Sequence, residues 1–592
     1  MTHFPKVTNH VRPVGAAPAL LLGAFLCASS SVWAAPVTPQ KADRFVDSMG
    51  INTHWNYSEY GAPGTTRYTQ VKAKLQELGL RHARDNALQP SINASLDLWN
   101  TIGVKTTFIC GRKSGGSLVS SQIDAELDSL EPVAAAIAAL EGPNEYDEQS
   151  PDSETNWASK LVDYQKILFT QSNNSTLHAP LNALPVIAPS VTSPTAANAV
   201  YAANGNANLG PWIDYNCLHM YQSSRWPGTP GWGANGYGSI DWGINLIGAP
   251  LGGSKTIQST EGGYNTGRTS EDRYVIPDVE ARYLPRMFAE FFRRGFFRSF
   301  KYELVDAAGD NGFGLMDASL NIRPAFTSVK NLVTAMKDPS PLTNFTPTAL
   351  DFTLSGVGSD TRQLFFQKSD GSYYLMLWRE TSSMNPDTKA PITVPTDTVT
   401  LALPASITSV STNLPKNNAT FSSVAISSGQ VTLEVPDHIL IVRLGGSATI
   451  RYEAENLTEL ALSSGDTVTD FTETGLSNNA ATLLNANASG DFVTYRVNVP
   501  QARSYKIFVG VKKKNNRGIF QMATAASLTS NYNNRGSAQD TYNSTSTTNR
   551  LEITTMTFDS AGDKAFRFLC TGKNGSSSGF GLCFDYIELV PQ

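Results

Sequence analysis

From about residue 41 to 335, short apolar runs rich in β-branched residues alternate with longer stretches of helical period. Eight candidate strands follow one another: Met49 to Trp55, Leu80 to Asp85, Lys105 to Cys110, Ala135 to Glu141, Leu184 to Pro189, Cys217 to Tyr221, Lys255 to Glu261 and Ser299 to Leu304. Between them lie helical patterns such as Tyr68 to Leu78, closed by Gly79, and Arg282 to Arg294, closed by Gly295, since glycine takes the left-handed conformation that ends a helix. Repeated βα units predict a parallel sheet, and eight in about 300 residues fit a closed (β/α)8 TIM barrel. An open nucleotide-binding sheet would want a GxGxxG turn after its first strand, and none stands there.

Beyond residue 340 the period changes to two. Ser372-Tyr-Tyr-Leu-Met-Leu-Trp378 and His438-Ile-Leu-Ile-Val-Arg443 read as strands of a first all-β sandwich. A second all-β unit opens at Tyr452-Glu-Ala-Glu-Asn and closes at Phe584-Asp-Tyr-Ile-Glu-Leu-Val590. The predicted organisation is a segment 1–35, an α/β barrel over 36–338, a β-sandwich over 339–448 and a second β-sandwich over 449–592.

Segment 1–35 reads as a secretory signal peptide. Lys6 and Arg12 precede an apolar run from Ala16 to Ala28, which leads to the small residues Ser-Ser-Ser-Val-Trp-Ala-Ala. The run is shorter than the roughly 20 residues a membrane span needs, so a secreted protein without a membrane span is expected. Cys27 leaves with the signal; Cys110, Cys217, Cys570 and Cys583 remain, an even number that an oxidising compartment could pair, and Cys570 with Cys583 is the expected disulfide.

The chain of 592 residues carries a net charge of -5, too little basic field to hold nucleic acid. Charged residues are only 16%, with abundant Asn, Ser, Thr and Gly, a balance suited to neutral polar ligands such as sugars. Reactive groups of a barrel lie at the C-terminal ends of its strands. There Leu140-Glu-Gly-Pro-Asn-Glu-Tyr-Asp147 places Glu145 after strand four, and Gln258-Ser-Thr-Glu-Gly-Gly-Tyr264 places Glu261 at the end of strand seven. These strands face each other across the barrel mouth, so the two carboxyl groups can converge. At about 5 to 5.5 Å they would suit glycoside hydrolysis with retention, one protonating the leaving oxygen and the other attacking the anomeric carbon. The bland reading of each, a solvated or salt-bridged strand-end glutamate, competes with this. Glu141, Asp147, Glu148 and Glu303 are rival carboxylates, and Glu141 reads as a strand or supporting residue.

In these motifs the chain resembles the clan A glycoside hydrolases, retaining enzymes on a TIM barrel. Asn144-Glu145 matches the clan's acid/base motif after strand four, and Glu261 matches its nucleophile; Arg84 matches the arginine near the end of strand two, and His219-Met-Tyr221 its His-x-Tyr of strand six. The resemblance implies that Asn144 bonds the sugar hydroxyl beside the reacting carbon, that Arg84 and Tyr221 hold Glu261 ionised and aligned, and that His219 supports the acid/base region. It departs where the clan has Asn-Glu-Pro and this chain has Tyr146, and where the clan ends strand eight with Trp; Tyr302 or Glu303 is expected to line the innermost subsite instead. No cofactor is needed for such chemistry.

Sugar rings stack their C–H faces on aromatic side chains. Trp55 closes strand one, and the loop after strand six holds Trp226, Trp232, Tyr237 and Trp242, either packed down or walling a polysaccharide cleft. The final unit resembles carbohydrate-binding modules whose acidic cluster holds a structural calcium ion, which implies Glu453, Glu455 and Asp585 as its ligands. The expectation is a secreted, monomeric, retaining β-glycoside hydrolase that cleaves a β-glucan, xylan, mannan or exopolysaccharide internally. An exo-acting β-glycosidase and a non-catalytic carbohydrate-binding surface protein are the alternatives.

Overall fold

The computed structural model describes residues 36–270, 272–307, 312–338, 345–446, 449–525 and 528–591. The expected export signal, 1–35, lies outside the described residues.

A barrel of eight parallel strands fills the first half of the chain: β1 Met49–Asn52, β2 His82–Asn86, β3 Lys105–Ile109, β4 Ile137–Glu141, β5 Val186–Ile187, β6 Asn216–Met220, β7 Ile257–Gly262 and β8 Arg298–Lys301. Neighbours pair in the order β5-β4-β3-β2-β1-β8-β7-β6. A parallel bridge from Ile187 to Tyr215 joins the two ends. Each strand is followed by helix: α1 Thr66–Leu78, α2 Gln89–Ile102, α3 Ile123–Leu130, α4 Trp157–Ser172, α5 Pro194–Ala203, then the stretches Ile240–Gly243, Ile244–Gly248 and Ala249–Gly252, and finally α6 Pro277–Arg293 and α7 Pro324–Met336. The strands are nearly uniformly buried because helices cover one face and packed side chains the other. Helix α1 is fixed at both ends: Thr65 caps its start by accepting the Tyr68 N–H at 3.2 Å, and Gly79 ends it at φ 78°.

The middle unit stacks a six-stranded sheet on a three-stranded one. In the larger sheet Tyr373–Arg379 pairs antiparallel with Thr361–Gln367 on one side and Leu440–Gly446 on the other. Its residues alternate between two cores. Phe365, Leu375, Leu377 and Val442 face the three-stranded sheet, whereas Phe366, Tyr374, Met376, Trp378 and Ile441 join the core of the barrel. The run Tyr373 to Trp378 is therefore apolar without a break, since both its faces are covered. An ion pair crosses this interface out of water. Arg286 of α6 donates to Glu380 Oε1 at 2.7 Å and to the Asp437 carbonyl at 2.9 Å, and Trp378 Nε1 donates to Glu380 Oε2 at 2.6 Å.

Two further sheets of seven and five strands enclose a separate core around Tyr452, Phe520, Phe568 and Phe584. The predicted disulfide is absent: Cys570 and Cys583 are both free and buried, as are Cys110 and Cys217. Cys570 lies in the five-stranded sheet and faces the core between the sheets, beside Phe568 and Phe584. Cys583 lies in the other sheet between Leu582 and Phe584, which face that core; strand alternation turns it to the outer face, against Leu476 and Ala481. Closeness in sequence put the thiols thirteen residues apart, but the pleat points them away from each other.

No helix among the described residues is long and apolar enough to cross a membrane.

Candidate active site

At the C-terminal mouth of the barrel, Arg84 on β2 organises a buried cluster. All five of its N–H donors are used: Nε and Nη2 grip Glu141 at 2.7 and 2.8 Å, Nη2 also reaches Asn144 Oδ1 at 2.6 Å, and Nη1 reaches Asn52 Oδ1 and Glu261 Oε1, each at 2.9 Å. The fork geometry of guanidinium suits this work and the point charge of lysine would not. Burial alone would lower its pKa, but Glu141 and Glu261 outweigh that and hold the charge more firmly than in water.

Glu261 is the penultimate residue of β7, beside a register shift and opposite His219 of β6. Such a bulge re-aims a side chain at a strand end. Its Oε1 accepts from Arg84 and its Oε2 from the Tyr221 hydroxyl at 2.9 Å. His219 and Tyr221, two positions apart, face the same side. Burial drives the Tyr221 pKa well above its ordinary value, with the Glu261 charge adding, so the hydroxyl keeps its proton and remains a donor.

Glu145 is held differently. The turn Gly142-Pro143-Asn144 carries the chain out of β4 through a space that admits no side chain at 142, where a Cβ would lie 2.1 Å from Gln165 Oε1 and 2.9 Å from Pro189 N. Glu145 itself takes a left-handed backbone, φ 42° and ψ 46°, sparsely populated for a residue with a side chain. Its N–H donates to Ser190 Oγ at 3.0 Å. Its carboxylate meets His219 Nδ1 at 2.6 Å, and His219 Nε2 contacts Thr260 Oγ1 at 3.1 Å, which in turn donates to Glu141 at 3.0 Å.

Proton affinity is unevenly divided here. Burial would make His219 neutral, but Glu261 and Glu145 push its pKa well above the usual imidazole value. Burial raises Glu145, but the His219 charge and hydrogen bond outweigh it and bring that carboxyl below its ordinary range, with Arg84 and Arg273 contributing. In the free protein the shared proton therefore rests on His219. Glu145, His219 and Glu261 each present an atom within 4.8 Å of the others, so a carboxylate oxygen of Glu145 lies that close to one of Glu261.

A cleft of about 450 Å³ opens over the two glutamates. Its lining includes Asn144, His219, Tyr221, Tyr302, Phe313, Trp232, Tyr237 and Trp242. The last three form an edge-to-face ladder, Trp232 to Tyr237 at 5.2 Å and Tyr237 to Trp242 at 4.8 Å. The sequence motifs thus bring Arg84, Asn144, Glu145, His219, Tyr221, Glu261, Trp232 and Tyr302 together. Two tryptophans fall elsewhere. Trp55, 2% exposed, packs on Tyr60 and Tyr68, because its backbone N–H donates to Asp85 Oδ2 and folds the loop after β1 inward. Trp226 packs against the cluster of Tyr264, Val275 and Tyr283. Glu303 is buried and meets His54 at 3.2 Å, leaving Tyr302 at the cleft. Asn52, Ser190, Thr260 and Arg273 carry no motif, and their places emerge only from the fold; the polar residues Asn52 and Thr260 inside strands were the available signal.

In the C-terminal unit, the Ser477 N–H donates to Asp585 at 2.9 Å and the Ser477 hydroxyl to Glu453 at 2.9 Å, while Asn478 donates to Glu455 at 3.1 Å. Among the described residues, Glu453 Oε2 and Glu455 Oε2 have no hydrogen-bond donor. Burial, with the charges of Glu453 and Glu455, pushes Asp585 up to about 7. The charge of Arg451 opposes this rise and acts on Glu453 as well.

No protein-family model matches the sequence, and neither does any curated protein. Solved structures do resemble it. A family 39 glycoside hydrolase from the gut symbiont Bacteroides cellulosilyticus WH2 is 14% identical at TM-score 0.46, over 69% of this chain and 83% of that one. A glucosidase from Croceicoccus marinus is 10% identical at TM-score 0.41, over 90% and 97% of the two chains, and an arabinofuranosidase is 10% identical at TM-score 0.41, over 69% and 98%.

Proposed function

We propose that the protein is a secreted retaining β-glycoside hydrolase that cleaves a polysaccharide internally, with Glu261 as nucleophile and Glu145 as acid/base. One observation carries the reading: two carboxylates from opposite strands approach within 4.8 Å in unlike surroundings. That closeness suits direct attack by one of them; inversion needs a gap of about 6.5 to 9.5 Å for a water.

In the first step a Glu261 oxygen bonds to the anomeric carbon as the bond to the leaving oxygen breaks. Arg84 and Tyr221 fix the carboxylate in line. The leaving oxygen takes a proton from Glu145, which draws it from His219 Nδ1. In the second step Glu145 accepts a proton from water, whose oxygen displaces Glu261 from the same carbon and restores the original configuration. Asn144, whose Oδ1 accepts from Arg84, would bond the neighbouring sugar hydroxyl. The open cleft with its aromatic ladder favours internal cleavage over removal of terminal sugars. Glu453, Glu455 and Asp585 would hold a structural calcium ion, remote from these steps in sequence. The protein would act as a monomer outside the cell, its expected signal being 1–35.

The test is a reducing-sugar screen of wild type and Glu261→Ala against a polysaccharide panel. Oligosaccharides released early by wild type alone support the reading. An unimpaired variant overturns the assignment of Glu261, and binding without cleavage by both favours a carbohydrate-binding protein.

A further inference from the structure

Two arginines stand out, Arg273 in the cleft and Arg225 beside an aromatic ring that lines it. Most of its guanidinium groups are matched to carboxylates: Arg81 to Asp43, Arg84 to Glu141 and Glu261, Arg286 to Glu380, Arg298 to Asp47 and Arg323 to Asp306. Arg273, which lines the cleft in the loop after β7, is exposed, and its guanidinium lies 4.6 Å from the centre of the Tyr221 ring. Arg225, in the loop after β6, lies 4.1 Å from the centre of the Trp232 ring. Among the described residues neither has a carboxylate within ion-pair distance or a hydrogen-bond acceptor for its side chain.

Stacking holds a guanidinium by its face and leaves its N–H edge for a ligand. Both aromatic supports line the cleft, and Tyr221 is bonded to Glu261, so Arg273 stands one ring away from the reacting centre. The cleft also carries Glu145, Glu148 and Glu261. An anionic glycan would be repelled by these acids unless cations met its charges at fixed points, and two stacked guanidinium groups supply such points.

Resting on the glycosidase reading above, we infer that the substrate is an acidic glycan, with an anionic substituent seated on Arg273 and a second along the chain on Arg225. The shared chemistry is a planar or tetrahedral oxyanion, either a uronate carboxylate or a sulfate ester. Arg273 acts by binding substrate and takes no part in bond breaking.

The experiment compares uronate-containing polysaccharides with their carboxyl-reduced forms, and sulfated polysaccharides with their desulfated forms, using wild type, Arg273→Ala and Arg273→Lys. Wild type should cleave one acidic class with kcat/KM about 10- to 100-fold above its neutral counterpart, the range a charge-assisted hydrogen bond supports. Arg273→Ala should lose that preference through KM, over and above the change that its effect on Glu145 makes on acidic and neutral forms alike, and Arg273→Lys should regain part of it. The class that shows the preference identifies the anion. Equal cleavage of acidic and neutral forms overturns the inference and leaves the glycosidase reading standing. An equal loss on both forms in Arg273→Ala, with the acidic preference kept, also overturns it, since Arg273 would then act only through Glu145. If nothing is cleaved, calorimetry of Glu261→Gln with the acidic oligosaccharides decides: binding that weakens in the double variant with Arg273→Ala keeps the anion site, and no binding removes it.

Discussion

Glu380, in the β-sandwich, accepts the backbone N–H of Gly228 at 2.9 Å, and Gly228 lies in the barrel loop that carries the aromatic wall. The approach is so close that a Cβ on Gly228 would lie 2.5 Å from Glu380 Cγ. The same carboxylate binds Arg286 and Trp378, so one buried group ties a helix, a sandwich strand and a substrate loop together.

Glu380→Ala should therefore do two separable things. It strands the Arg286 charge, and breaking such a buried pair costs about 3 to 5 kcal/mol, read as a lower Tm. In the folded fraction it frees the loop, so KM for long polysaccharides rises more than KM for a small aryl glycoside. Equal changes on both substrates would remove the positioning role. Gly228→Ala tests the same joint without stranding a charge.

Glu145→Ala and Glu261→Ala should each lose most turnover while circular dichroism and Tm stay near wild type. For Glu145 the loss should be about 10² to 10⁴ in kcat, the usual worth of general acid–base catalysis, and smallest for substrates with good leaving groups. Mass spectrometry of wild type with a slow fluorosugar substrate should find the glycosyl group on Glu261.

The pH profile should follow the proton shared by His219 and Glu145. Its affinity on His219 is raised above the ordinary imidazole value of 6.5, so the alkaline limb of kcat/KM should lie above that pH. The stability that the charged imidazole contributes has the same sign: complete below pH 6.5, lost as pH rises through the folded value. In His219→Gln, Glu145 loses the partner that depresses it, and the limb should pass to that carboxyl.

All four buried cysteines are thiols, so non-reducing and reducing electrophoresis should coincide, and thiol reagents should report them only after denaturation. A native mass two hydrogens lower per bridge would contradict this.

Asp585, raised to about 7, favours a proton in the folded state, so without metal the C-terminal unit should lose stability as pH rises from about 4 to 7. Calcium should reverse that trend, with a Tm increase largest at the upper end of the range and absent in Asp585→Asn. An unchanged Tm with calcium would remove the metal site.

The barrel was legible because its strands and helices differ in period, and the reactive cluster because Asn144-Glu145, Glu261 and His219-x-Tyr221 end strands whose positions that period fixes. Trp55 and Trp226 show the limit: an aromatic residue near a mouth looks the same whether its loop folds over the site or into the core. The cysteine pair failed for a related reason. Spacing sets distance along the chain, whereas the pleat sets direction, and only the register of the two sheets tells which face each thiol takes. Arg273 and Glu380 had no local pattern at all, since their significance comes from what other parts of the chain place beside them.

The strand Gln40–Lys41 precedes the barrel in sequence, yet it pairs in parallel with Thr361–Gln367 of the sandwich, and Phe345–Thr346 pairs with Ile450–Glu453 of the last unit. Each junction is thus stitched by a segment that a cut between units would strand on the wrong side. A gene fragment ending after α7 would leave an orphan edge on the barrel side and an incomplete sheet on the other, so the sandwich cannot be traded as a detachable cassette. Insertions and exchanges among such proteins would be tolerated in the loops at the mouth long before they were tolerated at these seams.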